Sequence, residues 1–262
     1  MKIRYIDIGL NLFSSQFHDR DRILTESLER GVSFIITGSD MKSSQETCSY
    51  VRDHPVWGTC GIHPHNADRA ADDDFQELEN MISSEPSMVA VGECGLDFNR
   101  MFSEKGNQIR CLERHIEIAE KMGKPMFLHE RDASDTFCEV FSHHPKAAKN
   151  AVVHCFTGTR AEAERYLDMG FHIGITGWIC DDRRADDIRN AVKSIPLDRI
   201  LLETDAPYLT PRNIKGLGRV NYPWNITYIA AELAKDMCVD EELLVNSALD
   251  NTRRLFGLER DL

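Results

Sequence analysis

The sequence predicts a (β/α)8 barrel, an α/β fold, and three observations lead there. Short apolar or β-branched runs alternate with amphipathic helical stretches along the whole chain. Eight such runs fit within 262 residues, a length at which an α/β barrel forms as one domain. No run is followed by G-x-G-x-x-G, the loop that marks a doubly wound dinucleotide-binding sheet. A single barrel domain is therefore expected over residues 1–262, with an extra C-terminal helical segment in two stretches, Tyr222–Met237 and Asp240–Phe256.

The first run, Ile3–Leu12, sets Asp7, Gly9 and Asn11 on one face against Ile6, Ile8, Leu10 and Leu12 on the other. Gly31 ends a helical stretch just before the second run, Val32–Gly38, where a left-handed cap is expected. The third, Val56–Gly61, leads into Gly61-Ile-His-Pro-His65, with His63 and His65 in phase. The fourth, Met88–Glu93, is apolar until it reaches a carboxylate, which is costly to desolvate without a partner. A helix follows over Ile109–Met122, with Ile109, Leu112, Ile116 and Ala119 at helical spacing and Gly123 as its cap. The fifth run, Pro125–His129, and the sixth, Ala151–His154, both end in histidine. Gly170 precedes the seventh, Phe171–Ile175. The eighth, Arg199–Glu203, brings Leu201, Glu203 and Asp205 into phase.

Composition narrows the function classes. Hydrophobic residues at 42 % and charged residues at 28 % fit a globular chain, and no apolar run approaches the ~20 residues of a bilayer span. The start of the chain lacks the apolar core of a signal peptide. Eight cysteines without a Cys-x-x-Cys pair read as reduced, buried thiols in a cytoplasmic protein. A formal charge of −12 argues against a salt-driven binder of duplex DNA, but not against an enzyme that meets phosphates locally.

In such a barrel the chemistry sits at the C-terminal ends of the strands. One histidine at the end of an apolar run is more often a hydrogen-bonded core residue than a ligand. Here the ends collect His63, Glu93, His129, His154, Glu203 and Asp205, an imidazole-and-carboxylate set without thiolate. That set suits zinc, manganese, iron or a magnesium-type ion.

Gly61-Ile-His-Pro-His65, Gly92-Glu-Cys-Gly-Leu-Asp97, Leu128-His129, His154-Cys-Phe-Thr-Gly158 and Glu203-Thr-Asp-Ala-Pro-Tyr208 resemble the TatD family of metal-dependent deoxyribonucleases, which are amidohydrolase-like TIM barrels. Phe98-Asn-Arg100 and Gly174-Ile-Thr-Gly-Trp-Ile-Cys-Asp-Asp-Arg-Arg184 look most like the bacterial TatD subgroup. The resemblance covers essentially the whole chain and implies metal ligation by Glu93, His129, His154 and Asp205. Asp205 would also act as general base, with Glu203 and His63 at further active-site positions. The implied cofactor is a divalent cation, Mg2+ first, with Zn2+ or Mn2+ as alternatives. The implied substrate is DNA, as single-stranded or frayed 3′ ends, with RNA as a second class. A monomer with no membrane partner is expected. Asn11, Arg131, Arg183 and Arg184 are candidate substrate contacts, and Phe98, Phe156, Trp178 and Tyr208 could stack on bases. The chain departs from the family at strand one, where most members read Asp-x-His-x-His and this one reads Asp7-Ile-Gly-Leu-Asn11. Two competing functions share the same residues. One is hydrolysis of an amide, lactone or aminoacyl-tRNA ester; the other is a catalytically inactive barrel that binds a partner.

Overall fold

The structure, a computed structural model, describes residues 2–258, so the ends of the expected domain, residues 1 and 259–262, lie outside the described residues. The elements run β1 (Tyr5–Leu10), α1 (Arg20–Glu29), β2 (Val32–Ile36), α2 (Met41–Asp53), β3 (Trp57–Cys60), α3 (Asp72–Ser84), β4 (Met88–Asp97) and α4 (Lys105–Met122). They continue with β5 (Met126–Arg131), α5 (Ser134–Ser142), α6 (Pro145–Lys149), β6 (Ala151–Val153), α7 (Arg160–Met169), β7 (His172–Ile175), α8 (Asp186–Ala191) and β8 (Ile200–Leu202). Two further helices close the chain, α9 (Ile226–Met237) and α10 (Glu241–Phe256). The eight strands follow one another in order in one sheet, and the fold class is the (β/α)8 barrel. Among the described residues no helix is long and apolar enough to cross a membrane.

All eight expected strands are present, with different ends. β3 stops at Cys60, because Pro64 opens a 3-10 turn over Pro64–Arg69 and cannot donate to a ladder. β6 and β8 stop at Val153 and Leu202, so His154, Glu203 and Asp205 lie just beyond their strands. β4 instead runs past Glu93 to Asp97. It does so through Gly92 and Gly95, whose φ angles of +134° and +141° only glycine adopts readily. A Cβ on Gly95 would meet the His129 carbonyl oxygen at 1.8 Å, so the glycine is what lets β4 pass this close to β5.

The chain falls into two compact units. One comprises residues 36–154 and 168–171. In it β3, β4, β5 and β6 pair in parallel, with Cys60 opposite Val91, Gly95 opposite His129 and Leu128 opposite Val153. Phe137, Phe141 and Phe171 pack with ring centroids 4.8–5.6 Å apart and are fully buried. Removing such a ring costs about 3–5 kcal/mol. The other unit comprises, among the described residues, 2–35, 155–167 and 172–258. There β7 pairs with β8, with Gly174 opposite Leu201, and β1 packs beside β8. The amide of Asn251 in α10 donates to the carbonyls of Leu197 (2.7 Å) and Ile200 (2.8 Å), which ties the last helix to the start of β8.

One buried histidine links a helix of the first unit to its functional loop. His115 in α4 faces the Cys111 carbonyl through Nδ1 (2.6 Å), and its Nε2 accepts the Ile62 amide (3.0 Å). An amide N–H can only donate, so Nε2 must be bare and the proton sits on Nδ1. Burial pushes the imidazole down from 6.5 to about 4, opposed by the hydrogen bond to Cys111. A histidine lowered on folding leaves the unfolded chain binding more protons between those values, so stability is complete above about pH 6.5 and falls as pH drops toward 4. Urea unfolding of wild type should show a loss of about 2 kcal/mol from this group between pH 7 and pH 5, at ~1.36 kcal/mol per pH unit below 6.5. His115→Gln should flatten the pH dependence by that amount; an unchanged slope would show that His115 does not carry it.

Candidate active site

In the unit spanning residues 36–154, three imidazoles converge on one carboxylate. Glu93 Oε1 lies 2.9 Å from His154 Nε2, 3.3 Å from His63 Nε2 and 3.4 Å from His129 Nδ1. The sheet register explains the meeting. Gly95 stands opposite His129, and the His154 amide donates to the Leu128 carbonyl (2.8 Å), so the ends of β4, β5 and β6 lie side by side. The Glu93 amide donates to the Gly38 carbonyl (2.8 Å) and the His63 amide to the Ser39 carbonyl (2.9 Å), which fixes both against the end of β2. Burial alone would raise the Glu93 carboxyl. The charges of His63 and His154 and the hydrogen bonds from His129 and His154 outweigh it and hold the group well below the usual carboxylate range.

Asp97 forms a second centre beside the first. Its Oδ2 lies 2.8 Å from His65 Nε2 and 3.2 Å from His129 Nε2, while its Oδ1 accepts the amides of Asn99 (3.0 Å) and Arg100 (2.7 Å). Burial opposes ionisation, yet the His129, Arg100 and His65 hydrogen bonds keep Asp97 far below its ordinary value. His129 therefore sits between two carboxylates. Burial would lower its pKa, and hydrogen bonds to Asp97 and Glu93 raise it instead.

The ring nitrogens divide the histidines into two kinds. His129 has Nε2 on Asp97 and Nδ1 on Glu93, so one nitrogen is oriented by a carboxylate. The other, a donor to Glu93 here, can offer a lone pair to a cation once that proton leaves, the arrangement of a metal-ligating imidazole. In His63, Nδ1 accepts the His65 amide (3.1 Å), so Nε2 must carry the proton and faces Glu93 as a donor. The ligand atoms of His63, Glu93 and His129 all lie within 4.8 Å of one another, but this tautomer suits His63 to donate rather than to ligate. Glu93, His129 and His154 remain, one carboxylate and two imidazoles, and their chemistry fits a divalent cation.

The other unit holds Asn11, Glu203 and Asp205. Asp7 is fully buried and accepts the Gly9 amide (3.1 Å), the Thr204 amide (2.8 Å) and the Thr204 hydroxyl. Burial drives its carboxyl up to about 7 against those bonds. The Thr204 carbonyl accepts Asn221 Nδ2 (3.1 Å), and Asn221 Oδ1 accepts Asn225 Nδ2 (2.8 Å), so the turn after β8 rests on a buried polar chain. That turn presents Glu203 to the Cys155 amide and Asp205 Oδ1 to the Asn11 amide group (2.8 Å). Cys155 and Asp205 both take left-handed backbone, with φ of +48° and +53°, conformations that gather at functional sites. Of the candidate arginines, Arg131 is exposed at the end of β5 in the first unit. Arg183 and Arg184 line a cleft of about 970 Å3 with Trp178, Arg212 and Arg219. Arg183 (2.8 Å) and Arg212 (3.4 Å) already pair with Asp181, and Arg184 lies 5.8 Å over the Trp178 ring.

The sequence motifs include Asp97 and His65, but neither falls in the predicted ligand set, because the fourth apolar run ends at Glu93. The usable signal was the two-residue alternation carried two steps further, from Glu93 through Gly95 to Asp97.

The sequence model described as TatD related DNase matches residues 6–257. The 3'-5' ssDNA/RNA exonuclease TatD of Erwinia tasmaniensis is 44% identical, over 96% of this chain and 99% of that protein. Among solved structures, YJJV, a TatD homolog from Escherichia coli K12, superimposes with a TM-score of 0.87 at 26% identity, covering 98% of this chain and 99% of that one. A hydrolase TatD family protein from Entamoeba histolytica gives a TM-score of 0.84 at 26% identity over 98% of this chain and 99% of that one.

The division of the histidines is open to a direct test by calorimetric Mn2+ titration. His129→Ala should weaken binding by a factor of about 100 or more, while His63→Ala should change it less than about threefold. Equal losses in the two variants would place His63 among the ligands.

Proposed function

This chain belongs to the TatD related DNase family, and on that footing we propose that it is a divalent-metal-dependent exonuclease acting on the 3′ ends of single strands. Its substrates in this reading are DNA and, as a second class, RNA, as in the relative from Erwinia tasmaniensis. The observation that carries the proposal is the convergence of His129 and His154 on Glu93 across the adjacent parallel strands β4, β5 and β6. Eight free cysteines fit a reducing compartment and a cytoplasmic enzyme, which we take to act as a monomer.

Glu93, His129 and His154 would hold the cation, with Asp205 as a further ligand by family resemblance, and exchangeable Mg2+ is the ion we favour. When bound, it supplies Lewis-acid polarisation of a phosphoryl oxygen and acidifies water. The residues of the chain do the rest. Asp97 keeps the His129 proton on Nε2. His63 offers its Nε2 proton to a charged oxygen and does not compete for the cation. Asp205 takes the proton of the attacking water, and Asn11 fixes the carboxylate rotamer that does so. Glu203 anchors the Cys155 amide and keeps the turn after β6 in place. Arg131, Arg183 and Arg184 are proposed to bind substrate phosphates, with Arg183 and Arg184 set in their cleft. At strand one, Gly9 offers no ligand and Asn11 only a neutral amide oxygen, so one tight ion is favoured over two.

The test is an activity screen in Mg2+, Mn2+ and Zn2+ on oligonucleotides labelled at either end. A 5′-labelled single strand should shorten stepwise, and closed circular duplex should stay intact. Rapid linearisation of plasmid without trimming of oligonucleotides would overturn the exonuclease assignment. Asp205→Asn keeps the shape but loses the base, so kcat should fall about 100-fold or more with a much smaller change in KM. A variant altered only in KM would make Asp205 a positioning residue.

A further inference from the structure

We propose that Phe102 is the stacking platform for the nucleobase of the terminal nucleotide, and so a source of single-strand selectivity; this rests on the nuclease reading above. Among the described residues Phe102 is the most exposed large hydrophobic side chain, at 65 %. It is nonetheless held in place. Its ring packs perpendicular to His65 with centroids 4.8 Å apart, and His65 in turn lies 4.2 Å from His63 and bonds to Asp97. Phe102 thus stands one residue out from the imidazole cluster, a placement suited to a base whose phosphate lies on that cluster.

The backbone on either side cannot retract it. Met101, just before it, has left-handed backbone, φ +51°. Ser103, buried, donates its hydroxyl to the His65 carbonyl (3.0 Å) and accepts the Asp68 amide (3.2 Å). Gln108, also buried, donates to the Ser103 carbonyl (2.8 Å) and accepts the Asp97 amide (2.8 Å). The carboxylate that orients His129 therefore also anchors the loop presenting the ring, through the Asn99 and Arg100 amides. Phe98, earlier in the same loop, has the Lys105 ammonium 4.3 Å over its ring. Exposing a fixed aromatic ring beside a polar cluster gives up burial that a loop of this length could otherwise obtain, and a flat apolar ligand recovers it. A nucleobase supplies such a face. An unpaired terminal base is free to stack, whereas a base inside a duplex must first be unpaired and unstacked.

The experiment uses two single strands that differ only at the 3′ terminus, one with a base and one with an abasic tetrahydrofuran residue. Wild type should prefer the base-bearing strand about tenfold in kcat/KM, chiefly through KM. Phe102→Ala should bring the ratio near one by raising KM for the base-bearing strand, and Phe102→Trp should restore the preference. A wild type without preference, or a Phe102→Ala variant that keeps it, overturns the inference alone. A wild type that leaves every oligonucleotide intact overturns the nuclease reading and this inference with it.

Discussion

Everything around the centre of the first unit follows from burying Glu93. An unpaired carboxylate in a protein interior costs several kcal/mol and would take up a proton instead. Three imidazoles on one oxygen prevent that, and holding them there dictates the neighbouring structure. β4 must run close to β5, which requires glycine at 92 and 95. His129 must be held from its far side, which Asp97 does. The loop before His63 must be fixed, and the buried His115 in α4 fixes it through the Ile62 amide. A cluster that gives protons to Glu93 in the absence of a cation can give lone pairs to one from His129 and His154, so proton and metal compete for the same atoms.

The strands and the carboxylate that closes the apolar part of β4 were legible because apolar runs ending in His, Glu or Asp are rare and cluster here. The same pattern located His129 and His154. It could not separate them from His63, because that distinction lies in the His65 amide, a backbone group with no sequence signal. The role of Asp97 was not legible. The apolar run stops at Glu93, yet β4 continues through Gly95 to Asp97, with a register shift between Val91 and Cys94 that only the pairing with β5 reveals. The bond between Asn11 and Asp205 spans 194 residues and was equally invisible.

That bond gives the missing strand-one histidines a physical meaning. An imidazole at position 11 could compete for a cation; the asparagine amide instead donates to Asp205 and orients its carboxylate. Asp7 supports the same turn from beneath. It is buried among hydrogen bonds from Thr204, and the polar chain continues to Asn221 and Asn225. Fully satisfied networks of this kind fix one arrangement because every alternative strands a buried polar atom. The unit thus spends its buried polar groups on the geometry of one loop.

A chain of net charge −12 must still hold a polyanion. Screening makes this feasible: at physiological ionic strength charges more than about 8 Å apart scarcely interact across solvent. What the substrate meets is local. One local concentration of positive charge is the cleft lined by Arg183, Arg184, Arg212 and Arg219, which Asp181 partly neutralises. Few phosphate contacts mean little counterion release, so affinity for a long duplex backbone stays low. Binding then has to draw on contacts that only an end or a single strand offers, an unstacked base and a terminal phosphate. The overall acidity is therefore consistent with nuclease chemistry, since a protein with this charge gains little from the long backbone of a duplex interior.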